Sequence, residues 1–403
     1  MALIKWQFLS MLALLAAFLF ETRTAYNWAY LMLILFFGLR LFQRRLTEQI
    51  AVRRLTPQLS LFPGEQKEVV FQVENKSRLP FAWISGLDRI PTDLAGTRPK
   101  KGVFSLPGRS RVEVPALLTA RQRGVYVLGP IEIFIGDFFG LSTQRFLVDD
   151  PQTVLVYPRI YNLEDLNLTS AAVIGPITAQ KRIYPDPTKL AGVRPYQAGD
   201  PLRTLHWPAT ARTNSLQVKQ FEHTVNVTCL LLLNLDRGDY ESKKHHLQTE
   251  LAVSTAASLS AALLRSGAAL GFAANGVLTR RLAQEKINLT GSGPILRLRP
   301  RQGTAQLVQI LTILAGIETQ KKVGFETILA EQSRRKGSAA FLFLVIPKDS
   351  VEIVSRAEEL VRNGYRVHIF VAGSKIRHPR LLHRPKEAPL QIFTAREKEG
   401  ARL

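Results

Sequence analysis

The chain has 403 residues, and its 54 lysines and arginines against 32 aspartates and glutamates give a formal charge of +22. That length leaves room for two or three domains. A hydrophobic content of 46% excludes a wholly disordered or low-complexity chain, and a single cysteine, Cys229, excludes an intramolecular disulfide and any multi-cysteine zinc or iron–sulfur site.

The positive charge invites a nucleic-acid reading, so its distribution matters. The excess is spread over both ends and several loops. No basic stripe interleaves with aromatics, and no zinc-finger, KH or RRM signature is present. Nucleic acid is therefore not expected as a partner. An anionic membrane surface would suit the same charge.

Two apolar stretches open the chain, Trp6–Phe20 and Tyr26–Phe42. Each falls a little short of the roughly 20 residues that span a bilayer. With only Glu21 to Ala25 between them, they predict a transmembrane helical hairpin over residues 1–45. Arg40, Arg44, Arg45, Arg53 and Arg54 follow the second stretch, which by the positive-inside rule predicts a multi-pass protein of the plasma membrane with both termini cytoplasmic. The bilayer is then a partner.

Residues 50–160 read as an all-β sandwich domain. Glu68–Val73 and Arg111–Pro115 alternate, Val125–Leu128 and Ile131–Ile135 flank the Gly129–Pro130 turn, and Thr153–Tyr157 closes the series. Asp93 to Gly102 reads as an exposed loop.

Residues 225–403 change to α/β. Asn226–Leu235 is an apolar strand that includes Cys229 as a small core residue. Leu247–Arg265 is a helix, Ala268–Ala273 a strand and Thr304–Leu314 a helix. Ala339–Ile346 is an all-apolar strand. Ser350–Arg362 is a helix with Ser350 as N-cap and Gly364 past its end. Tyr365–Val371 and Leu390–Phe393 complete a mostly parallel sheet. No glycine-rich phosphate loop is present, and no cofactor is expected.

Residues 161–224 form a linker that carries the densest polar cluster: Arg194, Tyr196, Gly199, Asp200, Arg203, His206, Trp207 and Arg212. Asp200 before Pro201 predicts a helix cap with proline at the first helical position, and Asp200 is three residues from Arg203, its expected ion-pair partner. The expected role is a buttress or docking surface. In it Trp207 fills a gap, Arg203 and Arg212 bridge to acids, and His206 is hydrogen-bonded. The rival reading is a hydrolase using Asp200 and His206 with Ser215 as nucleophile. Six residues apart, that pair would point to different faces of a continuous helix. His245 and His246 follow Lys243 and Lys244 and read as a solvated face.

The run from Val193 to Trp207, continuing through Ala211-Arg212 and Leu216–Lys219, resembles the hallmark of the family called domain of unknown function 58. Arg121–Pro130, Asp137–Leu141 and Val156–Arg159 also resemble that family, although Phe138 stands where members usually have proline. The resemblance implies a C-terminal domain similar to the von Willebrand factor A fold, of Rossmann type. It also implies a protein partner, a MoxR-type AAA+ ATPase. The fold's metal motif is Asp-x-Ser-x-Ser after the first strand. Here Asp236 is followed by Gly238 and Tyr240, and the other weak candidate, Asp349, adjoins Lys348, so no metal is expected. The sequence thus reads as a non-catalytic, membrane-tethered cytoplasmic adaptor or scaffold, with a metal-dependent adhesion module at Asp236 as a further rival. Client and oligomeric state are not legible.

Overall fold

The structure, a computed structural model, describes residues 49–56, 59–94, 102–136, 143–166, 184–224, 227–284, 294–334, 341–373 and 388–396, with residues 11, 12, 15, 23, 24, 26–34, 38, 168, 173 and 289. The chain divides into two units, Met1–Tyr157 and Pro158–Leu403.

The expected transmembrane hairpin is corrected. Among the described residues no helix is long and apolar enough to cross a membrane. Residues 23, 24, 26–34 and 38 are helical. Most of Trp6–Phe20 and the remainder of Tyr26–Phe42 lie outside the described residues. From Ile50 onward the first unit is built of strands. The fold class with two leading transmembrane helices, and the multi-pass location that followed from it, therefore do not stand. The physical weakness was already visible: each apolar stretch is shorter than a span.

The first unit contains β1 (Ile50–Arg54), β2 (Leu59–Leu61), β3 (Gln66–Asn75), β4 (Phe81–Asp88), β5 (Val103–Leu106), β6 (Arg111–Thr119), β7 (Gly124–Leu128), β8 (Ile131–Gly136), β9 (Thr143–Val148) and β10 (Gln152–Val156). They form three sheets, ordered β1-β3-β6, β2-β10-β7 and β5-β4-β8-β9. The alternation in β3 turns Val69, Phe71 and Val73 inward. Phe71 and Val73 join Phe81, Ile84, Ile131 and Ile133 in one core, and Val69 joins Leu59, Leu61, Leu118 and Val154 in another. A side chain at Gly86 would meet the Phe71 ring at 2.8 Å, so glycine is what lets that ring lie against the β4 backbone. Arg54 and Asp88, both almost fully buried, pair through contacts of 2.5 and 2.8 Å. Pairing is antiparallel except that β10 runs parallel to β2. Leu94 is buried rather than part of an exposed loop. Most of the rest of that loop, and Asp137–Leu141, lie outside the described residues.

The second unit contains β11 (Tyr184–Pro195), α1 (Trp207–Thr213), β12 (Gln217–Thr224), β13 (Thr228–Leu233), α2 (His245–Arg265), β14 (Ala269–Ala274), β15 (Val277–Leu278), α3 (Arg280–Gln284), β16 (Leu296–Arg301), α4 (Thr304–Gly316), β17 (Ile317–Glu318), α5 (Phe325–Arg334), β18 (Phe341–Ile346), α6 (Val351–Arg362), β19 (Arg366–Ala372) and β20 (Leu390–Ala395). A six-stranded sheet runs β16-β14-β13-β18-β19-β20, parallel except for β16. Leu342, Leu344, Ile346, Val367 and Ile369 pack on one face with Phe325, Leu329, Ile353 and Leu360 of α5 and α6. Helix α2 packs on β13, β14, β18 and β19. Its buried residues are mostly alanine, serine and threonine, which lets it approach closely. Thr255, Ser258 and Ser260 return their hydroxyls to carbonyls four residues back, each at 2.7 Å, so burial leaves no donor orphaned. Phe341, Phe343, His368, Phe370 and Phe393 form a ladder of rings with centroids 5.1–6.5 Å apart.

Candidate functional site

The polar cluster sits at the head of a two-stranded antiparallel ribbon. β11 and β12 pair Val193 with Lys219, Arg194 with Val218 and Pro195 with Gln217. The chain between them closes on itself. Tyr196 N donates to Leu216 O at 2.9 Å and His206 N to Gln217 O at 2.8 Å, while Gln217 N donates to Thr210 Oγ1 at 3.0 Å. Leu205 bridges to Val218, and both are buried. Gly199, with φ at +106°, supplies the left-handed residue of the turn before Asp200.

Asp200 does not cap a helix and does not pair with Arg203. Its carboxylate takes both arms of the Arg194 guanidinium, at 2.7 and 2.8 Å, and also accepts Gln197 N at 2.9 Å. The hydrogen bonds from Arg194, then the one from Gln197, hold the Asp200 carboxyl below its ordinary range, and the same pair raises Arg194. Pro201 takes the cap position of a single 3-10 turn, Leu202–Thr204. The side chain that caps a helix is His206, whose Nδ1 accepts Ala209 N at 3.0 Å at the start of α1. Tyr196 is half-buried. Ser215 Oγ donates to Thr213 Oγ1 and accepts from Gln217 Nε2. The groups of the hydrolase reading are thus each engaged by other partners.

The other motif residues point outward. Trp207 is 66% exposed and fills no gap, and Leu202 is 69% exposed. Arg203 and Arg212 are exposed, with no ion pair to an acid among the described residues, contrary to expectation. Leu216 is 45% exposed.

The second candidate region lies at the carboxyl ends of β13 and β14. Asp236 caps the 3-10 turn Arg237–Asp239, its Oδ1 accepting Gly238 N at 2.9 Å. Asp239 accepts Asn234 Nδ2 at 2.8 Å and pairs with Lys348 Nζ at 3.1 Å. Lys348 thus serves Asp239. Tyr240 donates its hydroxyl to Asn234 O at 2.6 Å. Among the described residues no group of three or more histidines, cysteines or acids could hold a metal ion. Asn234, Asn275 and Gln320, which the sequence reading passed over, form the buried amide network beneath this end. Their signal was a polar residue ending each of two apolar strands. His245 is not merely solvated: its Nε2 lies 3.1 Å from Thr319 Oγ1, and burial, then Arg237, lower its pKa.

Residues 192–339 match the family model described as Protein of unknown function DUF58. The DUF58 match begins in β11 and takes in Arg194, Tyr196, Gly199, Asp200, Arg203, His206, Trp207, Arg212 and Asp236, while Asp349 falls beyond it. A protein of Bacillus subtilis (strain 168) named "Uncharacterized protein YeaD" is 26% identical over 224 residues, 54% of this chain and 53% of its own, so the chain spans about half the length of that relative. Among solved structures, the part of Escherichia coli alpha-2-macroglobulin from domain MG7 to the C-terminus is 11% identical over 28% of this chain and 17% of its own, with a TM-score of 0.24. One chain of the complex of zinc 2-glycoprotein and prolactin inducible protein from human seminal plasma is 10% identical over 26% of this chain and 92% of its own length, with a TM-score of 0.20. Likenesses at this level carry no argument about fold or function.

Proposed function

We propose that the chain is a non-catalytic adaptor or scaffold that docks a partner protein through the head of the β11–β12 ribbon. The observation that carries this reading is the division of labour within the motif. Arg194, Asp200 and His206 spend their polar groups on fixing the head, while Trp207, Leu202, Arg203 and Arg212 stand outward from it. Large exposed apolar residues beside arginines are the composition of interface hot spots. A general-base carboxylate works best with a pKa near the operating pH, whereas the hydrogen bonds from Arg194 and Gln197 lower that of Asp200.

The motif's resemblance to the family supports the finer reading, in which the α/β unit is similar to a von Willebrand factor A domain and the partner is a MoxR-type AAA+ ATPase acting in assembly or maturation of a protein complex. Affinity purification of the chain from its native cells tests it. A MoxR-type ATPase should co-purify with the wild type and be lost with Trp207→Ala, whose melting temperature should match wild type. Retention of the ATPase by Trp207→Ala would remove the head from the docking role, and absence of any such ATPase would remove the partner.

A further inference from the structure

The partner's chemistry can be taken one step further, resting on the adaptor reading. We propose that the ribbon head receives an acidic protein segment bearing a large apolar side chain. From Arg194 to Lys219 the chain has four basic residues and one acidic residue, Asp200. The one carboxylate is cancelled by Arg194, so Arg203, Arg212 and Lys219 set the charge of the head. Beside them Leu202 and Trp207 are each about two-thirds exposed. Burying a tryptophan and a leucine against a partner contributes more than leaving them in water. The head is also preordered. The guanidinium clamp, the His206 cap and the backbone bonds of Gln217 hold the loop without help from the outward side chains. Binding to such a surface costs little ordering entropy.

Charge decides among occupants. A second copy of the chain brings +22 against a head that is itself positive, and like charges oppose that association. Single-stranded nucleic acid favours successive rings on which bases stack, whereas Trp207 is the one strongly exposed ring of the head, Tyr196 being half-buried. An acidic segment with an apolar anchor satisfies both the arginines and the tryptophan.

The test uses the whole chain and defined probes. The first is a short fluorescein-labelled peptide of alternating glutamate and leucine. The controls are the same peptide with glutamine for glutamate or with serine for leucine, and an oligothymidine. Anisotropy should show saturable binding of the glutamate–leucine peptide. That binding should weaken about tenfold with Trp207→Ala, with Leu202→Ser, and with Arg203→Glu combined with Arg212→Glu. It should also weaken between about 50 mM and about 300 mM salt. All variants should melt like wild type. No saturable binding, equal binding of the glutamine peptide, indifference to charge reversal, or tighter Trp207-dependent binding of oligothymidine would each overturn the proposal. If the peptide fails to bind while Trp207→Ala still loses the ATPase, the acidic chemistry falls and the adaptor reading stands. If the peptide binds but no ATPase co-purifies, the docking head and its acidic chemistry stand and the ATPase falls as the partner.

Discussion

Arg194 and Asp200 close the head of the β11–β12 ribbon through a two-armed ion pair with nitrogen–oxygen distances of 2.7 and 2.8 Å. The planar guanidinium fork matches both carboxylate oxygens at once. Helical spacing pointed instead to Arg203, but Pro201 starts only a single 3-10 turn, and the turn at Gly199 brings Asp200 back toward β11. Asp200 is also fixed by Gln197 N, so the pair holds the loop as well as neutralising charge.

The first prediction follows from that pair. Asp200→Ala and Arg194→Ala should each lower the melting temperature by about 2–4 °C and speed amide exchange in residues 194–217. The double variant should cost less than the sum of the two. Asp200→Ala and Arg203→Ala should instead be additive. The sign with pH is fixed: Asp200 has a lowered folded pKa, so its contribution is present above the unfolded value and fades as pH falls through the folded one. Additivity in the Arg194 cycle would show that the two charges do not interact.

His368 gives the second. Its ring is 2% exposed, lies within the ladder of Phe343 and Phe393, and its Nδ1 has no hydrogen-bond partner among the described residues. Burial first, then the charge of Arg366, push its pKa down from 6.5 to about 4. The folded state therefore binds fewer protons than the unfolded state between those values, and stability should fall as pH drops from about 6.5 to about 4. The full effect is on the order of 3 kcal/mol. His368→Phe, which keeps the ladder, should remove this slope from denaturant titrations. An unchanged slope would place the protonation elsewhere.

The α/β unit was largely legible because its signals are local. Unbroken apolar runs gave β13 and β18, Ser350 marked the start of α6, and Gly364, with φ at +90°, marked its end. What escaped reading was set by partners distant in sequence. β16, Leu296–Arg301, alternates with arginines and is a strand because β14 offers it an edge. β4 hid behind Gly86, a residue needed by Phe71 on another strand. The outward stance of Trp207 reverses the usual preference of tryptophan for burial, so the packing rule that made it a gap-filler misplaced it. The opening apolar stretches are the opposite case: hydropathy, a short loop and flanking arginines predict a span, yet each stretch is shorter than a span needs.

The third prediction concerns divalent ions at the carboxyl end of the sheet. Asp236 is occupied by Gly238 N, Asp239 by Asn234 and by the Lys348 ammonium, and Tyr240 by Asn234 O. A hard cation needs several free oxygens and would meet a fixed positive charge here. Calorimetry with Mg²⁺ or Mn²⁺ at micromolar concentration should show no saturable heat. Tight binding that Asp236→Ala abolishes would refute this.

The last prediction is for Asn275, which is fully buried beneath that same end. Its Oδ1 accepts Leu235 N at 2.6 Å, and its Nδ2 donates to Val323 O at 3.0 Å. One amide thus ties the end of β13 to the segment before α5, and Gln320 Nε2 donates in turn to Asn275 O at 2.6 Å. Asn275→Ala leaves the buried Leu235 N–H without its partner, while Val323 O keeps the bond from Gln320 Nε2 at 3.1 Å. Such an orphan costs about 1–3 kcal/mol, so the variant should lose an amount of that order in urea titration. Asn275→Asp keeps the acceptor for Leu235 N but replaces the donor with a buried charge, and should be no more stable than the alanine variant at neutral pH. Trp207→Ala, a far larger truncation on the same unit, should cost almost nothing because its ring is mostly in solvent. An aspartate variant as stable as wild type would mean that water reaches this network and that the amide is not its tie.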